Sequence, residues 1–204
     1  MEKLLGKKNN QMLKEIKIYK NFLSSEEIGE LLTFARDTSK DWGKTDNEFW
    51  DGRFIHSQDL KNEKLENILV SKREEIKNFI KEDYGIEETL YSDLLQIVRW
   101  TSGYELKPHA DAENPNQDPH PFPYREVACI TYLNNDFSGG EIYFPNKENY
   151  CPPIEPGMLV FFPGTLEFLH GVREVTEGTR YTIASFFTRD KSKADFYDRE
   201  RKEN

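Results

Sequence analysis

The sequence predicts a mainly β fold, a sandwich or a barrel, supported by helices in the first part of the chain. From Ser92 onward, short runs rich in β-branched and aromatic residues follow one another. Turns that contain glycine or proline separate these runs, for example at Ser138–Gly140 and Glu155–Gly157. Apolar residues at helical spacing lie in the first 84 residues instead. Many short strands with such turns are typical of sandwiches and barrels.

Two helices are predicted before the β-rich region. Ser24 and Ser25 suit the N-cap of the first helix, whose apolar stripe consists of Ile28, Leu31, Leu32 and Ala35. The second helix is predicted over Glu63–Tyr84, with Gly85 as its stop. A short strand within Ile16–Leu23 precedes the first helix, and Trp42–Ile55 between the helices is interpreted as strand and loop.

The strands of the β-rich region are predicted from alternating or continuous apolar runs. They are Leu94–Trp100, Val127–Leu133, Glu141–Phe144, Met158–Phe162 and Tyr181–Thr188. The charged segment Arg189–Asn204 is predicted to be a solvated helix or a frayed tail. We expect one domain over residues 1–204: a loosely held 1–12, helical support at 16–90, a β core at 91–190 and a charged tail at 191–204.

Composition excludes several classes of protein. Aromatic residues make up 13% of the chain, which argues against disorder along its whole length. No apolar run approaches the roughly 20 residues of a membrane span, and no secretory signal is predicted. With 28 Lys and Arg against 37 Asp and Glu, the net charge is −9, which disfavours nucleic acid as a partner. The two cysteines, Cys129 and Cys151, indicate a reducing compartment, so a soluble cytoplasmic protein is expected.

A candidate metal site combines two histidines with an aspartate. His109 and Asp111 are two residues apart, so on a strand both side chains would point to the same face. His170 follows about sixty residues later. Two imidazoles and one carboxylate are the ligand set of non-haem iron(II) oxygenases. Two alternatives are that the His-x-Asp spacing arises by chance and that the residues form the site of a zinc hydrolase. A zinc hydrolase would need no buried arginine such as Arg180 near the metal.

Arg180 points to an anionic co-substrate. It lies ten residues after His170, across the turn Thr176–Thr179, and a hairpin there would place both residues on one interior wall. A buried guanidinium is costly unless it meets an anion, and its fork matches a carboxylate. A metal with open positions beside such a clamp indicates a 2-oxo acid that carries a second carboxylate.

A series of motifs over nearly half of the chain resembles one enzyme family. In order, the motifs are Gln96–Trp100, Gly103, Pro108–Asp111, Ile130–Asn134, Phe137–Glu141, Pro156–Gly157, His170–Val172 and Gly178–Tyr181. Together they resemble the 2-oxoglutarate/iron(II) dioxygenase superfamily, in particular its prolyl 4-hydroxylase-like branch. The resemblance implies a double-stranded β-helix (jelly-roll, cupin-like) core packed on the N-terminal helices.

The resemblance also implies roles for particular residues. His109, Asp111 and His170 match the iron ligands, and Arg180 matches the residue that pairs with the distal carboxylate of 2-oxoglutarate. Tyr132 matches a tyrosine whose hydroxyl binds the same carboxylate. Two positions depart from the pattern of relatives that have tyrosine there: Trp100, expected near the iron and the co-substrate, and Leu106, three residues before His109.

The implied activity is hydroxylation of a C–H bond with release of succinate and CO2. The expected substrate is a prolyl residue in a peptide or protein, and ascorbate is expected as an additional cofactor. A free amino acid or another small molecule is the alternative substrate, and a non-catalytic metal- or peptide-binding jelly roll is the alternative class. The carboxylate of Asp111 favours hydroxylation over halogenation. No nucleic-acid or membrane partner is expected, and the sequence leaves the oligomeric state open.

Other polar residues near these motifs receive weaker assignments. The loop Ala112–Tyr124, which contains His120, is interpreted either as a lid or as a solvated connection. Arg125 and Glu126 close this loop, and one hypothesis has them face the substrate. Arg53 and His56 are interpreted as structural residues.

Overall fold

The computed structural model describes residues 15–37 and 42–200. The predicted loose segment 1–12 and the last four residues of the predicted tail lie outside these ranges. None of the helices in the described part of the chain has the length and apolar character that a membrane span requires.

Both long helices are where the sequence predicts them, because their ends carry local capping signals. Helix α1 (Ser25–Arg36) begins after Ser24, whose hydroxyl accepts a hydrogen bond from the Glu27 N–H while the Glu27 carboxylate accepts one from the Ser24 N–H. Helix α2 (Glu63–Tyr84) ends at Gly85, which has a φ of 61°. The apolar face of each helix packs against the β-sheet core.

The strands of the described residues include every run predicted from the sequence and several shorter ones. They are β1 (Lys17–Tyr19), β2 (Phe54–His56), β3 (Tyr91–Thr101), β4 (Leu106–His109), β5 (Val127–Tyr132), β6 (Ser138–Gly139), β7 (Ile142–Tyr143), β8 (Leu159–Pro163), β9 (His170–Val172), β10 (Val175–Glu177) and β11 (Thr179–Thr188). A short helix α3 (Phe196–Glu200) follows.

The strands form one large sheet and two small ones. The six-stranded sheet has the order β1-β8-β5-β11-β3-β2, and all its neighbouring strands are antiparallel. Strands β4, β9 and β7 form a three-stranded sheet, and β10 pairs with β6. The mainly β fold with supporting helices is therefore confirmed. Strands β1 and β2, which precede residue 90, nevertheless form the two edges of the large sheet.

The two faces of the six-stranded sheet bury different sets of side chains. Cys129 and Ile97 belong to the face that packs on the helices. Tyr132 and Trp100 belong to the opposite face, whose apolar clusters also include Ile142 of β7 and Val172 of β9. Because side chains alternate along a strand, this arrangement follows from the sequence pattern and confirms that Tyr132 faces inward. The space between the two sheets is where the functional side chains meet.

Of the two predicted forms of the segment after Arg189, the helix is present at Phe196–Glu200, but the segment is not fully solvated. The buried carboxylate of Asp198 accepts hydrogen bonds from Lys77 Nζ at 2.6 Å and from the Ser92 N–H at 2.6 Å. Asp195 pairs with the buried guanidinium of Arg73 at 3.1 Å. The segment is held in place because Arg73 and Lys77 of α2 are buried and bind its carboxylates. The charge of the segment alone does not reveal these contacts.

Removing Asp198 is expected to destabilise the fold. We expect Asp198→Ala to lower the free energy of unfolding by about 3 kcal/mol, because Lys77 then remains buried with a weaker set of partners. Urea denaturation measures the change. Glu75→Ala is the control, since it removes a half-exposed carboxylate from the same helix and should cost under about 1 kcal/mol. Equal losses for both variants would contradict the assigned role of Asp198.

Candidate active site

Two histidines from neighbouring strands meet one aspartate at the end of the three-stranded sheet. His109 is the last residue of β4 and pairs in register with His170, the first residue of β9. Asp111 lies two residues beyond the end of β4, so His109 and Asp111 do not share one continuous strand. Its carboxylate oxygens nevertheless lie 3.8 Å from His109 Nε2 and 3.5 Å from His170 Nε2. The potential ligand atoms all lie within 4.8 Å of one another.

Backbone carbonyls orient both imidazoles. His109 Nδ1 lies 3.0 Å from the Lys107 carbonyl oxygen, and His170 Nδ1 lies 3.1 Å from that of Phe168. Each Nδ1–H donates to its carbonyl, which leaves the Nε2 lone pair directed at Asp111. Burial lowers the pKa of His170 to about 4, although the charge of Asp111 opposes this shift. The ring is therefore neutral at pH 7, the state in which imidazole binds a metal.

The carboxylate of Asp111 has an unsatisfied oxygen. Its side chain is 7% exposed, and Oδ2 has no hydrogen-bond partner among the described residues. A buried carboxylate oxygen without a partner is costly, and a cation shared with the two Nε2 atoms would remove this cost. The donor set of two nitrogens and one carboxylate suits non-haem iron(II). The residues present therefore fit the metal that the sequence predicts.

Arg180 places an unpaired cation inside the fold. Its side chain is 1% exposed, its Nε has no hydrogen-bond partner, and its Nη2 donates to the Tyr132 hydroxyl at a long 3.4 Å. Gly140 allows this position, because a Cβ there would lie 3.2 Å from Arg180 Cδ. No carboxylate of the described residues forms an ion pair with this guanidinium. A buried guanidinium without an acidic partner is costly, and an anion bound beside it would remove this cost.

The predicted hairpin between His170 and Arg180 is wrong. His170 belongs to the three-stranded sheet, whereas Arg180 lies on β11 in the six-stranded sheet. Strand β10 between them pairs with β6 instead, which carries the chain from one sheet to the other. The His170 ring packs against Phe162 at 4.5 Å, and Phe162 shares an apolar cluster with Tyr132. The two functional groups thus approach the same interior from facing sheets.

Trp100 lies beside Arg180. The two residues are opposite each other in the register of β3 and β11, and the guanidinium carbon is 5.6 Å from the indole ring. Leu106 pairs with Val172 in β9 and packs into the apolar cluster around Trp100. Both positions have a tyrosine in some relatives. In this chain they carry a buried tryptophan and a half-buried leucine, neither of which has a hydroxyl group.

The residues that close the loop Ala112–Tyr124 are bound to other parts of the protein. Arg125 Nε donates to Asp93 at 2.7 Å, and Glu126 accepts from Arg189. His120 accepts a hydrogen bond from the Phe122 N–H within the loop. The hypothesis that Arg125 and Glu126 face the substrate gains no support, because both side chains already have charged partners.

The structure adds the position of Arg53, which the sequence analysis interprets as a structural residue. Its buried guanidinium lies 5.7 Å from the ring of Trp100. The neighbouring Phe49 and Trp50 were the signal available in the sequence, since such aromatic pairs often line a site. Their contact with Trp100 depends on the tertiary fold.

Comparison with known proteins gives a family and a fold. Residues 95–188 match the model of the 2OG-Fe(II) oxygenase superfamily. A prolyl hydroxylase from Trichoplax adhaerens, solved in complex with a hypoxia inducible factor oxygen degradation domain peptide fragment, is 18% identical with a TM-score of 0.67. The match covers 95% of this chain and 96% of that chain.

Two further structures have the same fold. A prolyl-4-hydroxylase from Pseudomonas putida is 17% identical with a TM-score of 0.63, over 91% of this chain and 99% of that chain. The viral collagen prolyl hydroxylase of Paramecium Bursaria Chlorella virus-1, in its 2OG complex, is 16% identical with a TM-score of 0.61. Here the match covers 86% and 96% of the two chains. None of the curated protein sequences compared with the chain is significantly similar to it.

The family match and the His-Asp-His site define an oxygenase that uses iron(II) and 2-oxoglutarate. Residues 95–188 of the chain match the 2OG-Fe(II) oxygenase superfamily, and the fold of the chain is that of the prolyl hydroxylases compared above. The double-stranded β-helix and the enzyme class expected from the sequence are thereby confirmed.

Proposed function

We propose that His109, Asp111 and His170 hold the iron, and that Arg180 and Tyr132 bind the far carboxylate of 2-oxoglutarate. The observation that carries this proposal is a pair of complementary unsatisfied groups in one interior. Among the described residues, Oδ2 of the buried Asp111 carboxylate and Nε of the buried Arg180 guanidinium have no hydrogen-bond partner. Iron(II) and the dianionic co-substrate would satisfy both groups at once.

Bound iron would supply the oxygen chemistry, in which one oxygen atom enters a substrate C–H bond as hydroxyl and the other enters succinate as CO2 is released. The protein positions the reactants. The two Nδ1–H···O=C hydrogen bonds fix the imidazoles, and Arg180 orients the co-substrate. Phe144 and Phe162 pack against His170 and exclude water from that side of the site.

We further propose a prolyl residue of a peptide or protein as the substrate. The support is the fold shared with prolyl hydroxylases, one of them solved with a peptide bound. A free amino acid or another small molecule is the second candidate. Ascorbate is proposed as a reductant that keeps the iron active. A cytoplasmic location is proposed from the two free cysteines. Residues 1–204 are proposed to act as one domain, because β1 and β2 contribute the edges of the large sheet.

Succinate formation tests the activity. The purified protein is incubated with iron(II), 2-oxoglutarate and ascorbate, first alone and then with a proline-rich peptide or with free L-proline. We expect slow succinate release without a substrate and faster release with the peptide. Acceleration by L-proline alone would select the second candidate. Absence of succinate under every condition would refute the oxygenase proposal for these residues.

A further inference from the structure

A second unpaired guanidinium is buried near the proposed co-substrate site. Arg53 precedes β2, its residue is 4% exposed, and neither Nε nor Nη1 has a hydrogen-bond partner. No carboxylate in residues 15–37 or 42–200 forms an ion pair with it. By contrast, the buried guanidinium of Arg73 has acidic partners in Glu74, Asp195 and Asp198. The fold therefore does pair buried arginines, but not this one.

Aromatic rings surround Arg53 without neutralising it. Its guanidinium carbon lies 3.2 Å from the ring centroid of Tyr104 and 4.2 Å from that of Phe49. Burial lowers the pKa of Arg53, and interaction with the Tyr104 phenol only partly offsets this effect. Cation–π contacts hold the side chain in place, but they are worth far less than the loss of hydration of a buried cation.

Both unpaired guanidiniums lie near the indole of Trp100. Arg180 lies 5.6 Å from this ring and Arg53 lies 5.7 Å from it. Tyr104, which stacks on Arg53, belongs to the loop between β3 and β4 and is 40% exposed, so this end of the site borders solvent. Strand β4 runs from this loop to His109. A molecule entering beside Tyr104 would thus meet Arg53, which shares the Trp100 ring with Arg180.

We propose that Arg53 binds a carboxylate of the primary substrate. The proposal rests on the function proposed above and deepens it: the reacting residue carries a free carboxylate, either as a free amino acid or as the C-terminal residue of a peptide. Because Nε and Nη1 have no acceptor among the described residues, an incoming carboxylate gains charge-assisted hydrogen bonds at a cation that the fold already buries. The aromatic contacts fix the guanidinium before the substrate arrives.

Binding of matched acids and amides tests the role of Arg53. The protein is saturated with Mn(II) and 2-oxoglutarate, which occupies Arg180, and is then titrated calorimetrically with N-acetyl-L-proline or N-acetyl-L-prolinamide. We expect the wild type to bind the acid at least about tenfold more tightly than the amide, as a charge-assisted pair predicts. Arg53→Met should abolish this preference, and Arg53→Lys should retain part of it.

Arg99→Met is the matched control. Arg99 is next to Trp100 in the sequence, but its guanidinium stacks on Trp42 at 4.3 Å and its Nε donates to the Gly52 carbonyl oxygen. This variant should keep the preference for the acid. Thermal unfolding of each variant verifies that it is folded. If Arg53→Met is unfolded, Arg53→Lys is compared with the wild type instead.

Three results would overturn the proposal: equal binding of acid and amide by the wild type, no binding of either, or an unchanged preference in the folded Arg53 variant. Free L-proline and N-acetylglycyl-L-proline then distinguish the two sources of the carboxylate. The heat of 2-oxoglutarate binding is measured separately before each titration. Absence of a heat of 2-oxoglutarate binding would refute the proposed co-substrate site. A normal heat of 2-oxoglutarate binding, without a preference for the acid over the amide, would refute only the role of Arg53.

Discussion

Replacing His109 with alanine is expected to abolish succinate formation and to weaken metal binding by more than about 100-fold. Loss of a group that only hydrogen-bonds to a metal ligand costs about 10–100-fold in affinity, and loss of the ligand itself should cost more. The side chain of His109 is 36% exposed, so its removal leaves no large cavity in the core. The loss should therefore concern the metal rather than the fold. Titration with Mn(II), followed by calorimetry, measures the affinity without depending on turnover.

His120→Ala is the control for this experiment. His120 lies on the loop after Asp111, and its contacts are with Phe122 in the same loop. Its removal should leave metal affinity within a factor of about two, as expected for a residue that is not a ligand. If His109→Ala bound metal as tightly as the wild type, the ligand assignment would be wrong.

Replacing Arg180 with methionine is expected to weaken 2-oxoglutarate binding by about 100-fold or more, the effect of removing one partner of a buried charge pair. Metal affinity should change little, because the guanidinium belongs to the opposite sheet from the histidines. Without a bound anion, the variant should be at least as stable as the wild type, since an uncompensated buried charge has been removed. Calorimetric titration of 2-oxoglutarate and of Mn(II), together with thermal unfolding, gives the three quantities.

Two further variants make the result specific. Arg180→Lys keeps the charge but loses the planar fork, so its 2-oxoglutarate affinity should lie between those of the wild type and Arg180→Met. Arg173→Met removes an exposed arginine that stacks on Tyr143 and should change neither affinity. Loss of metal binding in Arg180→Met, with 2-oxoglutarate affinity retained, would show that the roles are misassigned.

The features predicted correctly from the sequence depend on local signals. Both ends of α2 follow from Asn62 and Gly85, which satisfy the terminal backbone groups of the helix. The inward orientation of Tyr132 follows from alternation along β5. The metal site was recognisable because His109 and Asp111 are close in sequence and because the order of motifs resembles one family.

The features that the sequence did not predict depend on distant partners. Strand β6 is two residues long, and its pairing with β10 defines it rather than any apolar run. Asp198 is buried because Lys77 meets it. Arg53 shows the same limit, since its isolation from every acidic side chain of the described residues is a property of the assembled fold.

The net charge and the buried arginines act at different distances. The charge of −9 predicts that a neutral or basic peptide would approach the protein more readily than an acidic one. Arg53 and Arg180 act after entry, where low exposure weakens screening by salt and water. A substrate that carries one carboxylate but no net negative charge, such as a zwitterionic amino acid, satisfies both conditions.

The position of β11 in the large sheet has a consequence for how the chain folds. This strand ends at Thr188, late in the chain, yet it lies between β5 and β3 in the centre of the sheet. Before it is synthesised, β1-β8-β5 and β3-β2 can form only two separate ladders with unpaired edges. Such edges invite pairing with other chains during synthesis. Closure of the sheet is therefore a late, non-local step, and the nascent protein depends on protection from aggregation until that step is complete.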